Sequence, residues 1–282
     1  MSKWRFENLL PSLEGIIDAK WGKAIERLSC PLPTSVEQAK KDLADSLLYF
    51  DMLMVAERRY GFGRPMDEVV ESLSVAIRWG IRRMEIILRT LLPRIGTLSG
   101  EEVDEYTVEI LGFGDIIEKS LLIDSKDLLK ESNLLVAEFI ESRWPSEKYS
   151  CVDYMEVYFH LANTARGPSL ATKWERFRNK QQHDLSYYQY VAVIISRDKK
   201  QFNAILGKHI LERFGSERTR NRRRNITPSE RLSLDLLGTV ALALHNGIPL
   251  TFRDEAIPIH EFPITQRPEI KALLAKGEAS SE

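Results

Sequence analysis

The chain reads as an all-α protein, an irregular multi-helix bundle of antiparallel helix pairs, and three observations predict it. Apolar residues recur at the three- and four-residue spacing of a helix with one buried side over most of the 282 residues. Proline and glycine fall between those stretches, and several starts carry Ser or Thr followed three residues later by Glu, the form of a capping box. Apolar residues make up 43% and charged residues 29%, enough to bury a core and too apolar for extended disorder.

From Arg5 to Leu28 the positions Phe6, Leu9, Leu10, Leu13, Ile16 and Ile17 share one helical side, with a kink expected at Pro11. Pro31 and Pro33 break the chain, and Thr34 with Glu37 predicts a second helix running to about Arg59. Gly61-Phe62-Gly63 supplies a left-handed stop before Pro65, and Met66 to Leu92 reads as a long helix ended by Pro93. Ser99 and Glu102 form the next capping box. Gly112-Phe113-Gly114 punctuates like the earlier tripeptide, and helices are expected from about Asp115 and from Ser125 to Arg143. The flanks of the two tripeptides do not align well enough to assert a repeat.

Trp144-Pro145 ends that region. The chain is expected to form a single helical domain over residues 1–282, with 144–152 as the boundary if there are two lobes. Asp153 to Ala165 reads helical, Arg166-Gly167-Pro168 breaks, and Ser169 is expected to cap a helix through Gln182. Ser186 to Ile195, rich in tyrosine and β-branched residues, fits strand or helix, and only its helical surroundings favour helix. Phe202, Ile205, Leu206, Ile210 and Phe214 then mark a buried stripe. Thr227-Pro228-Ser229-Glu230 is the best start signal in the chain, introducing a helix that Asn246-Gly247 stops. A short extended segment follows through Pro258, and the tail from Ala275 is expected to fray.

The formal net charge of −1 argues against a dedicated nucleic-acid binder, which needs a basic surplus on one face. Cys30 and Cys151 are too few for a disulfide framework and have no Cys-x-x-Cys spacing, which fits a reducing cytosol. Charges at Arg5, Glu7 and Glu14 interrupt the N-terminus, unlike a secretory signal, and no apolar run approaches the ~20 residues that cross a bilayer, so no membrane is expected. Glu156 and His160 lie four apart on one helix face, but no third ligand is spaced nearby, and no metal or cofactor is expected. No Gly-x-Ser-x-Gly or phosphate-loop motif occurs, so no catalytic residue is assigned. An active site assembled only in the fold, or a nucleic-acid-associated role, is the alternative reading.

Two charged patches stand out. Glu101, Glu102, Asp104, Glu105, Glu109, Asp115 and Glu118 form an acidic run; part of it is ordinary helix-start chemistry, and such a surface also docks fast onto a basic cleft. Arg220, Arg222, Arg223 and Arg224 lie in a polar loop, the second choice for a contact surface against phosphate or an acidic partner. An exposed solubilising linker between two helices is the favoured account of that loop.

The run ISRDKKQFNAILGKHILE, a polar insertion, and LDLLGTVALALHNGIPLTFRDEAIP together resemble the C-terminal part of the immunity protein 49 family of bacterial polymorphic-toxin systems. Arg197, Asp198, Phe202, Asn203, Ala241, Gly247, Pro249, Ile257 and Pro258 carry the resemblance, which covers about the last third of the chain. The loop between the two runs departs from the pattern in its arginines. A second family of helical immunity proteins, which neutralises DNase toxins, shows a similar alternation of helices and competes with the first. The resemblance implies a cytoplasmic protein, not an enzyme, that binds and blocks a cognate toxin domain encoded by the adjacent gene. It also implies structural roles for the matched residues: Asp198 as a helix cap, Arg197 paired with a carboxylate, and Gly247 at a terminal turn.

Overall fold

A computed structural model of the chain describes residues 15, 18–44, 47–61, 63–142, 144, 151–164, 168–180, 186–212, 233–251, 254 and 257–279. Among them every regular element is helical and no strand occurs, which settles Ser186 to Ile195 as helix. Helix α1 covers 18–29. The stretch expected to be one helix from Thr34 to Arg59 holds two, α2 (Val36–Ala44) and α3 (Leu47–Gly61). The cap of α2 is Ser35, one residue later than expected: its hydroxyl accepts from the Gln38 amide at 3.2 Å, while the Thr34 carbonyl accepts from Arg94 at 3.1 Å.

Gly63 takes φ +69°, the left-handed turn that the tripeptide predicts, and the short connection returns α4 (Met66–Ile86) along α3 as an antiparallel pair. The long helix does not stop cleanly at Pro93. It widens into a π turn at Ile87–Leu91 and tightens into a 3₁₀ turn at Leu92–Thr97, which accommodates a proline that can neither donate nor follow an α turn. Helix α5 (Gly100–Leu111) starts on the Ser99/Glu102 capping box, both halves of which are made. Lys40 and the Ser99 cap hold the Glu102 carboxyl down at about 2.

Gly112 is right-handed (φ −65°), so the second Gly-Phe-Gly is not a left-handed stop. Its last glycine is a packing device: a Cβ on Gly114 would strike the Tyr154 hydroxyl and approach the Tyr158 ring to 2.8 Å. Helix α6 (Phe113–Leu122) is buried nearly all round, its polar Glu118, Lys119 and Ser120 included, and packs chiefly on α12 (Leu234–His245), α4 and α7 (Lys126–Glu141). Ser125 caps α7 by accepting from the Leu128 amide.

Beyond 144–152 lie α8 (Cys151–Ala162), α9 (Pro168–Lys180) and α10 (Ser186–Ser196). Helix α9 begins at Pro168, one residue before the expected Ser169 cap, since proline suits a first helical position. Asp198 caps α11 (Lys199–Ile210) through the Gln201 amide at 3.0 Å. The signal at Thr227 to Glu230 lies outside the described residues. Helix α12 (Leu234–His245) ends at Gly247, φ +82°, the expected left-handed stop.

The C-terminal tail holds one more helix than expected, α13 (Pro268–Ala279), after two 3₁₀ turns. Its Gly277 lies so close to the Leu250 carbonyl that no Cβ fits there. One contiguous apolar core runs from Ala24 to Leu274, and the helices on both sides of 144–152 share it.

Candidate functional site

Helix α6 places Asp115, Glu118 and Lys119 where α3, α8 and α12 converge. Asp115 and Lys119, four apart, stack on one face and form an ion pair; the same ammonium lies 3.5 Å from Asp235 in the first turn of α12. Tyr49 of α3 donates its hydroxyl to the other Asp115 oxygen. Glu118 is 0% exposed, accepts a hydrogen bond from Tyr158 at 3.0 Å, and lies 3.4 Å from the Thr239 hydroxyl. Gly238 lets α12 approach this carboxylate: a Cβ there would sit 3.1 Å from the Glu118 side chain.

Electrostatics fix the protonation states. Burial by itself would drive the Lys119 pKa down, but the carboxylates of Asp115, Asp235 and Glu118 outweigh it and leave the pKa raised. Burial, reinforced by Asp115, pushes Tyr49 well above the ordinary phenol value; burial and Glu118 do the same to Tyr154. The ammonium therefore stays charged and both phenols stay protonated at neutral pH. A lysine nucleophile needs the opposite shift. The cluster is built to donate hydrogen bonds and hold position.

Above it opens a cleft of about 520 Å³, walled by Met84 and Ile87 of α4 and its π turn, Leu111, Phe113, Tyr154 and Tyr188. Three carboxylates, Glu109, Asp115 and Asp235, and one guanidinium, Arg83, also line it. Arg83 is paired with Glu109, and burial lowers its pKa. At the mouth stand Phe50 and Val108, 56% and 58% exposed, and Met54 follows one turn beyond Phe50 on α3 as another exposed apolar side chain.

The structure divides the acidic run of the sequence. Glu101 and Glu105 are exposed on α5, on the face that continues to Val108; Asp104 is half-buried. Glu102 belongs to the capping box and pairs with Lys40, and Glu109 pairs with Arg83. Asp115 faces the cleft, and Glu118 is withdrawn into the core, where no partner surface reaches it. The expectation that the whole run forms an acidic surface is thus corrected for Glu118, which is 0% exposed on a helix buried along nearly its whole length. Arg220, Arg222, Arg223 and Arg224 lie outside the described residues.

Among the pattern residues, the Phe202-Asn203 pair and Pro249 are brought together. Phe202 is buried at 0% exposure, and Asn203 donates to the Lys199 carbonyl at 2.7 Å and the Pro249 carbonyl at 2.9 Å while accepting from the Thr251 amide at 2.9 Å. The side-chain amide thereby ties α11 to the segment after Gly247, with Ile257 and Pro258 buried further on. Arg197 is exposed at φ +57°, and among the described residues no carboxylate pairs with it, so the expected ion pair is not made.

Glu156 pairs with Lys173 at 2.5 Å, and His160 packs edge-on against Phe159. Among the described residues no group of three or more His, Cys, Asp or Glu can hold a metal ion. Burial pushes the Cys151 thiol up to about 11, far from the low value of a reactive cysteine. No helix of the described residues is long and apolar enough to cross a membrane.

Sequence reasoning passed over Lys119, Tyr49, Phe50, Arg83, Tyr154 and Asp235. One signal was readable: the Glu118-Lys119-Ser120 triplet, with Asp115 a turn earlier, places polar groups inside the otherwise apolar stretch from Phe113 to Ile123. The others come from distant parts of the chain and show no local pattern. No family model matches the chain, and neither a curated protein nor a solved structure matches it.

Proposed function

We propose that the chain is an immunity protein of the bacterial cytoplasm: it binds a cognate toxin domain encoded by the adjacent gene and blocks it sterically, one molecule to one, without catalysing a reaction. The resemblance of the C-terminal third to the immunity protein 49 family motivates the reading. The observation that carries it furthest is the Asn203 tie, because it joins the Phe-Asn pair of one matched run to the Gly-Ile-Pro of the other in a single structural unit. The exposed acidic face of α5 supports it, since such a surface speeds docking onto a basic partner.

Co-expression with the adjacent gene product should protect cells, the two proteins should copurify, and titration should reach its end point at equimolar protein. Toxicity that persists at saturating amounts of this protein, or a neighbour that is not toxic, sinks the proposal. A second reading, an enzyme whose site is assembled only in the fold, draws on the cleft and the carboxylates of Glu109, Asp115 and Asp235 that line it. It predicts protection at substoichiometric protein, and the same titration separates the two.

A further inference from the structure

We propose that the cleft between α3, α5 and the start of α12 is the anchor pocket of this protein, and that its occupant is a lysine or arginine side chain on a protruding segment of a protein partner. This inference rests on the reading of the chain as a toxin-binding protein and names where and by what chemistry the contact is made.

The lining selects the side chain. Its walls are apolar and aromatic, suited to the methylene stem of a long side chain, and its carboxylates outnumber its one guanidinium, suited to a cationic head. Arg83 is engaged by Glu109 and Lys119 by Asp115, whereas Asp235 keeps its side chain 71% exposed at the edge of the cleft, 3.5 Å from the ammonium. An incoming cation therefore meets an accessible carboxylate in a cleft also lined by Tyr49, Tyr154 and Tyr188, the surroundings that favour a guanidinium or ammonium.

The surroundings select a protein over a small molecule. Phe50 and Val108 line the cleft at its mouth, yet each leaves more than half of its surface open to solvent. From Val108 the exposed face of α5 continues back through Glu105 to Glu101, at helical spacings of three and four residues, and Met54 extends the apolar edge along α3. A ligand confined to the cleft leaves these unused; a protein segment with one buried cation and an apolar, basic flank covers them all. Central anchors in a desolvated pocket with a polar surround are how such interfaces concentrate their affinity.

The test uses the full chain and the purified product of the adjacent gene. Phe50→Ser with Val108→Ser changes exposed positions and should leave the urea midpoint unchanged; Asp235→Asn, which removes one of the carboxylates facing Lys119, is compared separately, in the absence of urea, once circular dichroism shows it fully folded. Each should weaken binding by about tenfold or more. An alanine scan of the partner's lysines and arginines should find one residue whose loss is not additive with Asp235→Asn. If the wild-type protein binds but the variants bind within twofold of it, or no partner cation couples to Asp235, the anchor pocket is wrong and the immunity reading stands. If the wild-type protein does not bind at all, both fall. Native mass spectrometry that finds a small amine retained by the purified protein also overturns the protein occupant.

Discussion

Lys119 is a cation held entirely within the core, and its removal leaves the half-buried Asp115 and the fully buried Glu118 without the cation that faces them. Breaking a buried pair by deleting one partner costs on the order of 3 kcal/mol or more, so Lys119→Met should lower unfolding stability in urea by about that much. A loss under about 1 kcal/mol would place the ammonium in water instead. His245 gives a pH-dependent case. Its Nε2 donates to the Ala162 carbonyl at 2.9 Å, and its Nδ1 accepts from Arg267 at 3.1 Å, an arrangement open only to the neutral ring. Burial first, then Arg267, lowers its pKa below the ordinary 6.5, although the Ala162 bond opposes the shift. The unfolded chain therefore takes up the proton first, so the contribution is full above pH 6.5 and is lost as pH falls through the lower folded value. His245→Gln should abolish this component of the pH profile measured by urea unfolding; an unchanged profile would assign it to other groups. At this scale the sequence was most legible where partners are three residues apart, as at Ser99/Glu102, and least where a hydroxyl one position away competes, as Ser35 does with Thr34.

Helix α6 organises the elements around it, and glycine sets its distances. Gly80 of α4 faces Ile116, Gly114 faces Tyr154 and Tyr158, and Gly238 of α12 faces Glu118. Gly114→Ala forces a methyl group into ring atoms packed among Trp174, Phe177 and Tyr188 and should cost about 1–3 kcal/mol by denaturant unfolding. Unchanged stability would mean that α8 yields freely. The Asn203 tie operates between elements too. Asn203→Leu leaves the Pro249 carbonyl and Thr251 amide without their partner and should cost about 1–3 kcal/mol, with faster hydrogen exchange at Thr251. If that amide stays protected, the segment is held by its apolar contacts alone. Helical period located nearly every element in advance, but α13 escaped it, although Ile270, Leu273 and Leu274 carry the period after Pro268. The π turn of α4 left no mark beyond Pro93, because helix winding responds to packing as well as to residue type.

At the level of the whole molecule, formal charge near neutrality conceals an uneven surface. Charge reversal at exposed Glu101 and Glu105 should slow association with the adjacent gene product by about tenfold at low ionic strength, with the difference shrinking as salt is added. A slower dissociation, or an effect indifferent to salt, would remove α5 from the docking path. By itself the sequence determined the helical class, most helix boundaries and the left-handed turns at Gly63 and Gly247, because these follow from interactions within a few residues. The resemblance carried by Arg197 to Pro258 was also readable there, but not that Asn203 joins its two halves across more than forty positions. Only the tertiary structure decided which acids face water and which sink into the core. Helical spacing places Glu118 and Lys119 on α6 and says nothing of the helices that enclose it. The cleft exists only because α3, α5, α8 and α12 leave space between them, and a space between distant segments has no local sequence pattern.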